Sequence, residues 1–356
     1  MPRLLLDKER CLANVERMAR KAEAKGLVLR PHCKTHQSAK IGGWFRDFGV
    51  SGITVSSFRM ARYFADAGWK DILVAFPFNP ADRSELARLS RSLDITVLID
   101  HPDVLPFLNQ PDCPVGFYID VDTGYGRSGI KAEQPETMEN LLRLAGKNSR
   151  LDFRGFYCHA GHSYQAADRE TRDRIHQKSI ADLNRLGQQF RHLDPRLLYG
   201  DTPGCSVQEE FGHVDTLTPG NFVFYDLFQY SIGSCRPEDI AVAMECTAAS
   251  RYQDPDRILI HGGAVHFSRE SLDIGSETVY GQLARKAEKG WEPENSAACI
   301  TGLSQEHGTA KADSWPEGMP AIGDTVYILP VHSCLTANLM RNYRTLEGSL
   351  ISTLNS

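Results

Sequence analysis

The sequence lacks any Cys-x-x-Cys pair, any apolar stretch long enough to span a bilayer, any internal repeat and any low-complexity tract. Its nine cysteines, at positions 11, 33, 113, 158, 205, 235, 246, 299 and 334, are odd in number and far apart, which excludes a disulfide framework and a zinc ribbon. The 40 lysines and arginines are dispersed rather than gathered into a stripe, and 45 acidic residues outnumber them for a net charge of −5. Nucleic acid is therefore not an expected partner. The opening Met-Pro-Arg-Leu-Leu-Leu meets Asp7, Lys8 and Glu9 too soon for a secretory leader, so with no membrane span the expectation is a cytoplasmic protein.

What is present is the composition of an average folded protein, 41% hydrophobic and 24% charged, with 29 Gly and 18 Pro in 356 residues. That length suits two domains, or one large barrel with an appendage. From residue 7 onward amphipathic stretches alternate with short β-branched runs, a rhythm that calls for parallel strands joined by helices. After a leading helix at 8–24, the candidate strands are 27–31, 52–56, 71–76, 95–100, 115–122, 153–159, 197–200 and 221–225. Eight such units predict a (β/α)8 TIM-type barrel. The longest helix, around 166–191, sets Ile175, Ile180, Leu183, Leu186 and Phe190 near one face.

Near Ile232 the rhythm changes, and 241–249, 257–261, 278–280, 297–301 and 325–329 read as strands without good helices between them. The segment 290–320, rich in Gly, Pro and polar residues, reads as loops. The expected domains are a barrel at 7–231 and a β-rich C-terminal domain at 232–356, with residues 1–6 able to pack with the latter.

In such a barrel catalytic groups stand where strands end. The first strand runs into Arg30-Pro31-His32-Cys33-Lys34-Thr35-His36, where a lysine partly withdrawn from water could form a Schiff base. The fifth runs into Asp120-Val121-Asp122-Thr123-Gly124-Tyr125-Gly126-Arg127-Ser128-Gly129, and the sixth into Tyr157-Cys158-His159-Ala160-Gly161-His162-Ser163-Tyr164. The seventh ends in Gly200-Asp201-Thr202-Pro203-Gly204, and Thr218-Pro219-Gly220-Asn221 stands beside the eighth. Small hydroxyl and glycine residues there suit a phosphate cradle, so with Lys34 they describe a phosphate-bearing aldehyde cofactor.

These motifs, with Pro330-Val331-His332-Ser333-Cys334 near the end, occur in order over nearly the whole chain. The chain resembles the D-threonine aldolase and D-serine dehydratase family, enzymes that use pyridoxal phosphate on an alanine-racemase-like barrel followed by a β domain. The resemblance implies that Lys34 carries the cofactor and that Thr202, Gly220 and Asn221 hold its phosphate with help from Tyr157. It also implies that Arg127 faces the pyridine ring or its phenolic oxygen, and that His32 and Tyr164 complete the cofactor's surroundings. A carboxylate at Asp201 would repel a phosphate, so either its side chain turns away or the phosphate loop is shifted by a residue or two. An arginine at the ring weakens the cofactor as an electron sink, and the family adds a metal as second electrophile.

His332 and Cys334, at i and i+2 after the strand-like 325–329, would project from one face of an extended chain. Imidazole with thiolate suits Zn2+, and two protein ligands leave positions for water and substrate. Aldolase members of the family carry an aspartate where Cys334 stands, and D-serine dehydratases carry cysteine. His261, His266 and His307 could line the site from the β domain, but read first as structural histidines.

The implied reaction is β-elimination on a D-amino acid with a β-hydroxyl group, giving a keto acid and ammonia. Retro-aldol cleavage to glycine and an aldehyde, with His162 as base, is the alternative. An amino-acid racemase, with Tyr252 or Tyr280 as second base, and a PLP-binding protein without turnover are the remaining readings. The resemblance also implies a homodimer.

Overall fold

The computed structural model of the protein describes residues 1–109, 113–166, 168–253, 256–292, 298–312, 315 and 318–356. The chain forms two compact units, one of Arg17–Lys34 and Gly42–Gly220, the other of Met1–Glu16, Thr35–Ile41 and Asn221–Ser356. The units thus interleave along the sequence, whereas the domains expected at 7–231 and 232–356 follow it.

The first unit is a parallel barrel. Its strands are β1 (Val28–Leu29), β2 (Gly52–Val55), β3 (Asp71–Pro77), β4 (Asp94–Ile99), β5 (Val115–Asp122), β6 (Leu151–His159), β7 (Arg196–Gly200) and β8 (Thr216–Leu217). Neighbours pair in the order β1-β8-β7-β6-β5-β4-β3-β2, and a parallel bridge between His32 and Thr54 closes the ring. Seven of the expected strands recur within two residues. The eighth does not: residues 221–225 begin with a 3-10 turn, Asn221–Val223, and Thr216–Leu217 pairs with β7 and β1 instead. Burial of Phe222, Val223, Phe224 and Tyr225 explains the misreading, because a buried apolar run carries no periodicity that separates a strand from a packed turn.

Sequence chemistry accounts for the rest of the barrel. In β5 seven of eight residues are buried, as required of a strand covered on both faces. Leu73, Leu98, Tyr118, Tyr157 and Leu198, one from each of β3 to β7, form a buried cluster. The helix Arg169–Gln189 starts where the Asp168 side chain accepts from Thr171 N, and it buries His176, Ser179, Ile180, Leu183 and Leu186. Of the expected span 166–191, residue 167 lies outside the described residues.

Between β5 and β6 the register slips, so that Phe117 faces Phe153 and Tyr118 faces Gly155. Gly155 has φ +137°, and an added Cβ would run into the Arg196 backbone in β7. Gly155→Ala is expected to cost at least about 3 kcal/mol, because backbone overlap and left-handed strain act together. Thermal unfolding should then fall by roughly 6–12 °C; an unchanged midpoint would mean that the strands part there without strain.

The second unit is built on a mostly antiparallel sheet. Val242–Gln253 pairs with Asp256–His261 and with Thr325–Pro330, and Gly281–Lys286 pairs with Thr325–Pro330 and Cys299–Leu303. Arg3–Leu6 joins this sheet, antiparallel to Val242–Gln253 and parallel to Asn342–Thr345. The segment 290–320, read as loops, instead carries Trp291–Glu292 and the hairpin Cys299–Leu303 with His307–Lys311. Its glycines mislead: a Cβ at Gly308 would meet Ile260 and the Gly262 carbonyl, so the residue marks close strand packing rather than a loop. Residue 297, expected to open a strand, lies outside the described residues. Among the described residues no helix is long and apolar enough to cross a membrane.

Candidate active site

In the barrel unit the chain beyond β1 is fastened on both sides. His32 N donates to Pro219 O at 2.8 Å and Cys33 N to Thr54 O at 2.8 Å. Buried His32 turns its Nδ1 to accept from Lys34 N at 3.3 Å, so its role is to shape the turn that presents the lysine. The Lys34 side chain is exposed rather than partly withdrawn from water.

Beyond β5, Asp122 Oδ1 accepts from Gly124 N at 2.9 Å and from Gly126 N at 3.0 Å, which winds the glycine-rich turn. Arg127 lies over the Tyr125 ring, 5.1 Å from its centroid. Tyr125 in turn stands 6.1 Å from the His159 ring and stacks on His162 at 6.1 Å and 18°. A Cβ at Gly161 would collide with Tyr125, so glycine is required for this stack. Buried Asp120 accepts from Ser128 Oγ at 2.8 Å, and burial pushes its carboxyl up to about 6 against that bond.

His159 ties the positive groups together. Burial first, then the charges of Lys34 and Arg127, hold its imidazole down at about 3. Lys34 and Arg127 therefore act on one neutral ring, a field suited to an anionic ligand. His162 is half-buried, its Nδ1 has no partner among the described residues, and burial lowers its imidazole despite Asp201 and Asp122. A neutral imidazole of this kind can take a proton.

Beyond β7, Thr202 N donates to the Tyr164 hydroxyl at 3.1 Å. Asp201 turns away from that amide: its Oδ1 accepts from Gly204 N and, at 3.0 Å, from Ser163 Oγ. Tyr157 is 4% exposed within the barrel interior, and its hydroxyl engages Thr218. Gly220 follows β8. An amine, a guanidinium, two tyrosines and a threonine at strand ends form a donor set that fits pyridoxal phosphate.

The second unit holds a separate constellation. The chain does not stay extended through His332 and Cys334: His332 caps the helix Ser333–Met340, and Cys334 stands in its first turn. The two side chains nevertheless hydrogen-bond. Burial would lower the His332 imidazole, yet Cys334 lifts it to about 9. Burial would likewise raise the Cys334 thiol, yet His332 brings it below its ordinary value. The sulfur also lies 3.4 Å from Thr35 Oγ1 and 3.4 Å from Asn221 Nδ2. An imidazole against a thiolate is a soft donor pair that fits zinc. Among the described residues no three His, Cys, Asp or Glu groups converge, so further positions would fall to water or substrate.

Asp226 is the residue that the sequence reading missed. It is 1% exposed, and its Oδ2 accepts from Asn221 Nδ2 at 2.7 Å, Ser333 N at 2.9 Å and Ser333 Oγ at 3.1 Å. Its Oδ1 takes Gln229 N at 2.9 Å, an N-cap that an aspartate before an apolar turn could have signalled. The bond to Ser333, 107 positions away, had no local signature. Asn221, expected at a phosphate, commits its side-chain amide to Asp226, Ser333 and Cys334.

The remaining histidines form their own group. His261 and His266 approach Glu306 Oε2 at 3.7 and 3.8 Å, and His307 faces His261 across the strands. Tyr252 lies under Arg257 at 4.4 Å.

Residues 6–226 match the model of the alanine racemase N-terminal domain, and residues 241–346 that of a serine dehydratase domain. D-threo-3-hydroxyaspartate dehydratase from Delftia sp. strain HT23 is 29% identical over 98% of this chain and 95% of its own. D-serine dehydratase from Dictyostelium discoideum is 28% identical over 94% of this chain and 90% of its own. Among solved structures, a cysteine-to-alanine mutant of D-threo-3-hydroxyaspartate dehydratase, described as metal-free, superposes with a TM-score of 0.90 at 25% identity, covering 100% of this chain and 98% of that one.

Proposed function

The chain belongs to the alanine racemase N-terminal-domain family, and from that premise we propose that it is a pyridoxal-phosphate- and zinc-dependent lyase. Its substrates are D-3-hydroxy amino acids, and its products a keto acid and ammonia. The observation that carries this reading is Cys334 in the first turn of the helix Ser333–Met340, its side chain hydrogen-bonded to that of His332 at the helix cap: a soft sulfur donor stands where aldolases of this resemblance carry a hard carboxylate. The dehydratase names of its relatives support the same choice.

Bound pyridoxal phosphate supplies the electron sink for the substrate's Cα carbanion, and zinc supplies a Lewis acid for the departing hydroxyl. Lys34 would anchor the cofactor and serve as the base that takes the substrate's Cα proton. Arg127, Tyr164, Thr202 and Gly220 would hold the cofactor. His32 fixes the lysine turn, and Tyr157 supports the site from the barrel interior. His332 and Cys334 are the metal ligands, steadied by Asp226 and Asn221. The reading extends to a cytoplasmic homodimer; nine free thiols suit a reducing compartment.

The test is product analysis on D-serine, D-threo-3-hydroxyaspartate and D-threonine, using purified protein supplied with cofactor and zinc, with and without a chelator. Keto acid and ammonia, lost with the chelator, are expected. Glycine and an aldehyde would instead assign the retro-aldol reaction to neutral His162, and no product from any of the three would remove the lyase reading.

A further inference from the structure

One carboxyl group fastens the turn Gly161–Gln165 to the helix Thr202–Val207. Asp201 is 1% exposed. Its Oδ1 accepts from the Gly204 amide, which caps the helix, and from the Ser163 hydroxyl, which anchors the turn. That turn also carries His162 and Tyr164, and the Tyr164 hydroxyl takes the Thr202 amide. The other oxygen, Oδ2, is buried and closes no hydrogen bond among the described residues, although the Tyr199 hydroxyl acts on the carboxyl. An ionised carboxylate spreads its charge over both oxygens, so a dry oxygen without a donor is an unfavourable place for that charge.

The neighbouring hydrogen bonds fix where the protons lie. His176 Nε2 stands 2.7 Å from the Glu210 carbonyl oxygen. A carbonyl can only accept, so Nε2 carries the hydrogen. Burial lowers the His176 imidazole, which keeps it neutral. Its Nδ1 must then accept from the Tyr199 hydroxyl, 3.2 Å away. With its one proton committed to His176, the Tyr199 oxygen can only accept from its other side. That side is Asp201: a Cβ placed on Gly204 would meet the Tyr199 hydroxyl and stand 2.9 Å from Asp201 Oδ2, so both oxygens border one small space.

We propose that Asp201 is a neutral carboxylic acid at neutral pH, donating its Oδ2 hydrogen to Tyr199. It is a positioning residue that caps the helix and anchors the His162–Tyr164 turn without setting a negative charge beside the cofactor's phosphate. The last clause rests on the proposed reading that Thr202 holds that phosphate; the protonation does not. The titratable groups facing Asp201 are Tyr199 in β7, His176 on the Arg169–Gln189 helix, Cys158 in β6, Cys205 and His162. Burial lowers both histidines and raises the tyrosine and both thiols, so none of them brings a charge. Lys21, which acts on His176 and Cys205, is paired with Glu209. Burial is the largest influence on the Asp201 carboxyl and raises it, against the bonds from Gly204 and Ser163; the Tyr199 hydroxyl would favour the charge only by turning its proton from His176 to Asp201.

Asparagine is the neutral mimic of this acid, because its oxygen can accept from Gly204 and Ser163 while its amide donates to Tyr199. A carboxyl whose folded value lies above its unfolded one, about 3.9, holds a proton that the unfolded chain has released. Stability then falls as pH rises above that unfolded value, and Asp201→Asn removes this slope. Expected is a variant that melts at or above the wild-type temperature, by roughly 2–4 °C at pH 7.5, with a gap that widens from pH 5 upward. Infrared difference spectra should show a protonated-carboxyl band in the wild type that Asp201→Asn lacks. Asp201→Ala, which leaves Gly204 N and Ser163 without an acceptor, should melt below both. The proposal is overturned if no such band disappears, if Asp201→Asn melts several degrees lower throughout that range, or if Asp201→Ala melts like the wild type. Spectra with and without added pyridoxal phosphate separate the two layers: failure to take up the cofactor would sink the lyase reading while the Asp201 band is still read.

Discussion

Lys34→Ala is expected, on the proposed reading, to remove the absorbance of lysine-bound cofactor and to lower kcat/KM for D-serine by at least about 10³-fold, the loss that follows when a nucleophile that also serves as base is deleted. The fold should survive the change. The Lys34 side chain is exposed, and substitutions at such positions shift stability by within about 0.5 kcal/mol. The turn itself is held by main-chain bonds from His32 and Cys33 and by the His32 ring, none of which uses the lysine side chain. Far-ultraviolet dichroism and melting should therefore match the wild type, which assigns the lost activity to chemistry. A persisting absorbance band would mean that another amine carries the cofactor.

His32→Ala separates shape from chemistry at the same place. Its imidazole accepts from Lys34 N, so the variant should still form the lysine-bound species but with weaker retention of the cofactor. The ring's contribution lies in presenting the turn.

Much of the barrel was legible because its signals are local. The alternation of β-branched runs with amphipathic stretches located seven strands, and with them the loops after β1, β5 and β7 in which Lys34, Arg127 and Thr202 stand. What escaped was decided by partners distant in the chain. Thr216–Leu217 is too short to announce itself, and it is a strand because β7 and β1 offer their edges. Cys334 was expected on an extended face, yet a helix begins after His332, since Asp226 takes the amide and hydroxyl of Ser333 at the helix start. Asp201, expected either to turn away from a phosphate or to mark a shifted loop, has its side chain turned to Gly204 and Ser163. Of the groups around it, Tyr199 and Gly204 lie within three residues along the chain, and an aspartate before Thr-Pro-Gly is a local helix-start signal; Ser163 and His176 come from distant segments that no local pattern announces.

Cys334→Ala should leave the purified protein with little bound zinc and reduce keto-acid formation from D-serine by at least about 10²-fold, because a Lewis acid that assists a leaving hydroxyl contributes several kcal/mol to the barrel enzyme's transition state. His332→Ala should do the same if the proposed pair holds the metal, since a site with two protein ligands has no redundancy. The pair is also sensitive to what supports it. Asp226 Oδ2 holds Asn221 and Ser333, and the Asn221 amide in turn reaches the Cys334 sulfur. Asp226→Asn is therefore expected to weaken zinc binding by about 10–100-fold while both ligands remain. Cofactor absorbance gives the decisive contrast: Lys34→Ala loses the band and the activity together, whereas Cys334→Ala and His332→Ala should keep the band and lose the elimination. If Cys334→Ala turns over D-serine at the wild-type rate, zinc has no part in the chemistry and the thiol against His332 is a structural contact. If the variant loses the cofactor band as well, the pair acts by holding the fold around Thr35 and Asn221, which both touch the sulfur, and its role in elimination falls with it.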